Sequence, residues 1–310
     1  MPKELTHFYI AEVVATRLRN STFSENTLDY REMLLLGAVF HDVLYYLPFT
    51  DPNYQRFIKI PGILHGTNGQ DAFLIIRQII RGITKIQYYE PLLAFTVGLI
   101  THIFTDATFH PFIYYSTGDY YDKDRSRRSR AIARHRRLET VLDMFVCEHY
   151  RPSFGNPKSL LLNSKVDLTS FFQQLCLLIG FEKPDVLAAS IKKSYQTFFT
   201  FHNLARSRLL TFLVYYLDPI LSAKIKQITS LFYYPQLKKK MAMVSGELRF
   251  KNPRTGEETH TNIENLFTES VEKSVSLCKV IDDSLNSENK EIPLLFQQFD
   301  IIADSTRLCL

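Results

Sequence analysis

The chain has 310 residues, enough for one large domain or two smaller ones. With 45% hydrophobic and 22% charged residues it has the composition of an ordinary globular protein. A net charge of +5 is mildly basic; it suits an anionic substrate or a membrane surface and falls short of a dedicated nucleic-acid binder, so no nucleic-acid partner is expected.

Helical periodicity dominates from the first residues. The stretches ELTHFYIAEVVATRLRN, YREMLLLGAVFHDVLYY and GQDAFLIIRQIIRGI each read as amphipathic helices. The most apolar window, PLLAFTVGLITHIF, runs straight into Asp106, His110 and Pro111. Such polar groups point to a buried helix over about 91–109, ending near Pro111, rather than a membrane span. A polar loop, STGDYYDKDRSRR, then leads into the helical pattern SRAIARHRRLETVLDMFVCEHY.

RPSFGNPKS (151–159) is rich in Pro, Gly and Ser and reads as a boundary or a long connection. It divides the chain into a core over 1–150 and a helical C-terminal region over 151–310. Beyond it DLTSFFQQLCLLIGF, PDVLAASIKKSYQTFFTFHNLARSRLLTFLVYYL and NIENLFTESVEKSVSLCKVIDDSL are helical, and FKNPRTGEETH (250–260) is a turn-rich loop. No sustained strand alternation and no internal repeat is visible, so an all-α fold is expected. Cys147, Cys176, Cys278 and Cys309 lie far apart with no metal-finger spacing and are read as free. No secretory leader is legible, which suggests the cytoplasm, with leaderless export or delivery into another cell left open.

The histidines carry the chemistry. Seven of the nine precede residue 150, and several have acids beside them: His41-Asp42, His102 with Asp106, and His135 with Glu139. In THIFTDATFHPF, His102, Asp106 and His110 fall at successive four-residue steps, which on a helix stacks them on one face about 6 Å apart. Burying three such groups costs several kcal/mol unless something pairs with them. Zinc accepts imidazole nitrogen and carboxylate oxygen at roughly 2.0–2.2 Å, so ligands one turn apart can reach a single ion. A carboxylate between two histidines can also bridge ions roughly 3.5–4 Å apart. By itself, His65 reads as a capping or loop residue heading a helix, His7 as a surface residue, and His41-Asp42 as a half-buried pair.

Taken together, THFYIAEVV, LGAVFHDVLYY, HGTNGQDAF, GLITHIFTDATFHPF and RHRRLETVLDMFV resemble the zinc-dependent phospholipase C family, which extends distantly to fungal single-strand nucleases. G-x-x-x-H-x-x-x-D-x-x-x-H-P is the most specific part, and the resemblance covers about half the chain; NPRTGE resembles a later region of leaderless members more weakly. The resemblance implies an all-helical phospholipase C-like bundle, here with a helical C-terminal extension, holding two to three zinc ions. It implies His65, His102 and Asp106 for the first ion with Asp42 adjacent, His110, His135 and Glu139 for the second, and Asp106 with His7 for a third. The family's N-terminal Trp ligand has no counterpart, since the chain starts Met1-Pro2 and contains no Trp. His41 stands where the family usually has a proline, and is open between packing, second-shell and ligand roles. The family's calcium-dependent β-sandwich is not expected, because 151–310 read as helical.

The implied reaction is attack of zinc-activated water on the phosphodiester of a phospholipid, with Asp42 as general base, releasing diacylglycerol and a phosphorylated head group. The basic RSRRSRAIARHRR offers contact with anionic lipid or a solvated helix face, and the pairs Tyr45-Tyr46, Tyr88-Tyr89, Tyr114-Tyr115 and Tyr120-Tyr121 offer a lipid cleft or simple core. Two other readings stay open. His41-Asp42 suits an HD-type nucleotide phosphohydrolase, which leaves His102, His110, His135 and Glu139 without a role. A non-catalytic lipid- or partner-binding relative is the other. Head-group preference and oligomeric state are not legible.

Overall fold

A computed structural model describes residues 3–19, 21–66, 71–83, 87–150, 157–252 and 256–286. The first part of the chain forms α1 (Glu4–Arg17), α2 (Thr22–Asp29), α3 (Arg31–Ala38), α4 (Phe40–Val43), α5 (Tyr54–Phe57), α6 (Ile60–Leu64), α7 (Leu74–Gly82), α8 (Tyr89–Thr117) and α9 (Arg125–His149). The second part forms α10 (Ser159–Leu162), α11 (Leu168–Leu178), α12 (Pro184–Ala205), α13 (Arg208–Leu217), α14 (Ala223–Thr229), a hairpin of β1 (Leu248–Lys251) and β2 (Glu258–Thr261), and α15 (Ile263–Asn286). Three short 3-10 helices, at Leu44–Tyr46, Asp218–Ile220 and Pro235–Met243, complete the described elements. The architecture is an all-α bundle.

Helix α8 is the axis of the bundle. It is the one described helix long and apolar enough to cross a membrane, but 94% of its most apolar window is buried inside the protein, so its hydrophobicity serves the core. It does not end near Pro111. Proline removes one main-chain donor, yet Phe109, Phe112 and Ile113 are buried on either side, and their packing carries the helix on to Thr117. Asp124 starts α9 by accepting from the Arg127 N–H.

Helix α3 crosses α8 at backbone contact. A Cβ on Gly98 would lie 2.5 Å from the Ala38 nitrogen, and one on Gly37 would fall onto the Phe95 carbonyl. Only glycine at both positions lets the helices approach this closely. The expected single helix over YREMLLLGAVFHDVLYY is broken at Val39 (φ −123°, ψ 8°), which reorients His41 and Asp42 on the short α4.

Helix α1 is fixed from α9. The Asp143 carboxylate accepts from the N–H groups of Leu5 (3.1 Å) and Thr6 (2.9 Å), the Thr6 hydroxyl and the Tyr233 hydroxyl. It caps the N-terminus of α1, a place where a carboxylate suits both the free donors and the helix dipole.

The C-terminal helices share the core. Helix α15 packs on α8 and α1, with Ser270 and Thr105 hydroxyls 3.2 Å apart, and one hydrophobic cluster joins residues from Leu5 to Ile281. Residues 151–156, where a boundary was expected, lie outside the described residues, as do Met1, Pro2, residues 253–255 and Cys309. The turn-rich segment at 250–260 is flanked by a genuine hairpin: β1 and β2 pair antiparallel with Leu248 opposite Thr261, and Phe250 is buried against Phe112. Four residues per strand give too short an alternation to read from sequence. The expected helix over 184–217 is two, α12 and α13, separated at Arg206 and Ser207.

Candidate metal centre

The eight donors expected from the sequence converge around α8. His102, Asp106 and His110 project from it, His7 comes from α1, Asp42 from α4, and His135 and Glu139 from α9. His65 follows the last residue of α6 rather than heading a helix, and Gly66 at φ 72° turns the chain away immediately after it. His7 is fully buried, in contrast to the surface position its isolated context suggests.

The donor atoms fall into three groups, each with its atoms within 4.8 Å of one another: His7, His102 and Asp106; Asp42, His65 and His102; and His110, His135 and Glu139. In the first two, Asp106 lies 3.5 Å from His7 Nε2, 3.3 Å from His102 Nε2 and 3.6 Å from His65 Nε2, and Asp42 lies 3.4 Å from His65 Nε2. For metal–ligand bonds near 2.0–2.1 Å, neighbouring ligands in a tetrahedron stand about 3.3 Å apart. The cluster is spaced like the edges of coordination polyhedra. In the third group His135 Nε2 and Glu139 Oε1 are 2.8 Å apart, and the His110 and His135 ring centroids 5.6 Å. His102 thus belongs to two groups, whereas the sequence suggested Asp106 alone as the shared ligand.

The tautomers decide what this arrangement can hold. His65 Nδ1 lies 2.7 Å from the Pro61 carbonyl, and His102 Nδ1 lies 2.8 Å from the Ala38 carbonyl. A carbonyl only accepts, so each Nδ1 carries the proton and each Nε2 presents a lone pair. The two Nε2 atoms face each other at 3.2 Å. Two lone pairs at that distance repel unless a cation or a proton sits among them. Both Asp106 oxygens are buried without a hydrogen bond, a costly state for a carboxylate that coordination would relieve. Carbonyl-oriented imidazoles with a free Nε2 are a usual outer shell of zinc sites. The donor set therefore fits zinc.

Electrostatics agree with ligand chemistry. Burial pushes His7, His41 and His135 well below the ordinary imidazole range and His65 down to about 4, so these rings are neutral at physiological pH. At Asp106 burial opposes ionisation, but His102 and His110 outweigh it and hold the carboxyl well below its usual range. His102 is raised, because Asp106 overrides the effect of burial. Proton and metal compete for its lone pair. Burial, with Asp106 adding to it, pushes Asp42 up to about 7. His41 stacks on His102 with ring centroids 4.5 Å apart and meets His65 edge-on; neither of its nitrogens has a hydrogen bond.

Asp42, His65, His110, His135 and Glu139 open onto a cleft of about 490 Å³. Tyr45, Tyr46, Tyr114, Tyr120 and Tyr121 line it, while Tyr88 packs on Phe171 away from it. Arg136, from the basic segment 125–137, also lines it, and sequence reasoning missed the rest of the wall: Lys3, Glu4, Val39, Phe198, Phe201, Ile228 and Leu231. Glu4 pairs with His202, and although burial opposes its charge, Lys3 and His202 hold it well below the carboxylate range. The partners stand 198 positions apart in the chain, which leaves no local signal.

The central helix of the bundle thus brings together three groups of histidine and carboxylate side chains that could each hold a metal ion. The sequence pattern of the zinc-dependent phospholipase C family matches residues 6–181, more than half of the chain, and the chain belongs to that family. That span runs past residue 150, through α11. No curated protein and no solved structure gives a significant match.

Proposed function

We propose that the protein is a zinc-dependent phospholipase C that hydrolyses the glycerol-side phosphodiester of phospholipids, phosphatidylcholine-like ones included, to diacylglycerol and a phosphorylated head group. The observation that carries this reading is the pair of opposed Nε2 lone pairs of His65 and His102 beside the buried Asp106 carboxylate, with His65 lining an aromatic cleft. Family membership supports the reaction class.

His65, His102 and Asp106 would hold one zinc ion, with Asp42 at its edge; His110, His135 and Glu139 a second; and His7 with Asp106 a third. Zinc supplies Lewis acidity there, polarising a phosphoryl oxygen and acidifying water towards a pKa of about 7. The chain's own residues do the rest. Asp42, open to the cleft beside that ion, would accept the proton of the attacking water. The tyrosine walls exclude bulk water and take the apolar parts of the lipid, and Arg136 places positive charge on the cleft for an anionic phosphate. A peripheral membrane surface is the partner this substrate requires.

The test joins metal content to turnover. Protein purified without chelator and dialysed against trace zinc is expected to hold two to three zinc ions per chain and to release diacylglycerol from phosphatidylcholine. Nucleotide or single-stranded nucleic-acid turnover without lipid turnover would replace the reading with a different phosphohydrolase. Metal-replete protein that turns over none of these substrates would leave a binding protein.

A further inference from the structure

The helix that follows the cleft wall turns its apolar face outward. Helix α12 delivers Phe198 and Phe201 to the cleft; the chain then leaves as α13 and returns through α14, where Ile228 and then Leu231 line the cleft again. In this excursion Leu209, Phe212, Leu213, Tyr216, Leu217 and Ile220 fall at i, i+3, i+4, i+7, i+8 and i+11, the spacing of a helix face that ordinarily packs on a core. Here Leu209 is 69% exposed, Phe212 55%, Tyr216 62% and Ile220 80%, and within α13 only Thr211 is buried. Ile225 and Ile228 on α14 are exposed as well, and Ile228 lines the cleft. Contiguous surfaces of this kind mark contact sites.

Charge identifies what is contacted. Residues 206–240 hold seven Lys and Arg and a single acid, Asp218. That acid is already paired with Arg137 of α9 at 3.1 Å. Helix α14 is tied to α9 through Gln227 and Ser129 at 2.7 Å, and Arg130 and Arg134 of α9 stand opposite Lys226. An outward apolar stripe bordered by cations on three elements is the composition of a helix that lies in the head-group region of an anionic bilayer.

We propose that α13 and the exposed face of α14 dock on an anionic phospholipid membrane, with α13 lying in the interface and the mouth of the cleft held against the lipid. This rests on the lipid-hydrolase reading, since it names the surface from which that cleft draws its substrate. The apolar stripe supplies insertion, and the lysines and arginines supply the preference for negative lipid.

The test uses the full zinc-loaded chain and vesicles of phosphatidylcholine with or without phosphatidylserine. Wild type is expected to co-sediment with the phosphatidylserine vesicles in a salt-sensitive manner. The double variant Leu209→Asp, Leu213→Asp is expected to bind about tenfold more weakly or worse. Both replaced side chains are exposed, so folding is not at stake, and hydrolysis of a water-soluble short-chain phosphatidylcholine stays at the wild-type rate. Lys224→Glu, Lys226→Glu is expected to remove the phosphatidylserine preference alone. Unchanged vesicle binding in the double variant overturns the proposal, as does a wild-type dimer that the variant dissociates, since a second copy then covers the stripe. Docking lost in the variant with no lipid hydrolysed by either protein would sink the catalytic reading and leave the docking one standing.

Discussion

His65 Nε2 and His102 Nε2 face each other at 3.2 Å, while the other nitrogen of each ring is turned onto a main-chain carbonyl, Pro61 for one and Ala38 for the other. Neither ring can resolve the conflict by changing tautomer, because that would set an Nδ1 lone pair against a carbonyl oxygen. The backbone thus leaves both Nε2 atoms facing a position that suits a shared cation or a proton. Asp106, on the same helix face as His102, supplies the negative charge that makes such a cation affordable in a buried setting.

Asp106→Asn tests that arrangement. The amide keeps the shape but loses the charge that balances the cluster, and it offers one coordinating oxygen instead of two. Turnover is expected to vanish with the helical circular dichroism intact and bound zinc reduced. Retention of more than about a tenth of wild-type activity would contradict a bridging carboxylate.

Asp42→Asn separates proton transfer from metal binding. As general base Asp42 should produce an acid limb in the rate profile, activity rising with pH as it ionises; burial raises the carboxyl in the metal-free site, and bound zinc pulls the limb back to lower pH. The variant is expected to lose about 10²–10⁴ in kcat and to lose that limb, the rates being compared at matched zinc content because Asp42 also stands in the His65–His102 donor group. A profile whose acid limb survives the substitution assigns the proton to another group.

Acid should draw opposing responses from the buried groups of the metal-free protein. His7, His41, His65 and His135 are depressed in the fold, so the unfolded chain takes up protons first as pH falls below about 6.5. Their contribution to stability is therefore full above that pH and declines beneath it, whereas Asp42 and His102, both raised in the fold, stabilise it as pH falls. The His65 share, about 3 kcal/mol, is exhausted near pH 4, where the folded form protonates too. Urea unfolding of chelator-treated wild type and His65→Gln protein across this window isolates the His65 share; a difference between the two midpoints that does not change from pH 7 to 4 would show that this ring is not buried neutral.

Gly98→Ala should unseat the site from a distance. The new methyl would overlap the α3 backbone at Leu34 and Ala38, and no side-chain rotamer can relieve a backbone clash. Separating α3 from α8 also pulls the Ala38 carbonyl off His102. A loss of about 1–3 kcal/mol is expected, with weaker zinc retention, measured by thermal unfolding with and without zinc. An unchanged melting temperature would mean that the helices are not in backbone contact.

The sequence by itself determined the helical class and the ligand types, because both are written in local spacing. An apolar period of 3.6 residues makes an amphipathic helix, and His102, Asp106, His110, His135 and Glu139 share faces through four-residue steps. Local spacing misjudged Pro111, where packing on both sides outweighs one missing donor, and His65, whose position depends on where α6 stops. It also overlooked the hairpin, too short for its alternation to show. Only the tertiary structure decided which face of each helix is buried. It brought His7 and His65 to α8, paired Glu4 with His202, set the tautomers through Pro61 and Ala38, and left the apolar stripe of α13 facing outward. Those outcomes depend on contacts between residues tens to hundreds of positions apart, and no periodicity records which distant backbone a side chain will meet.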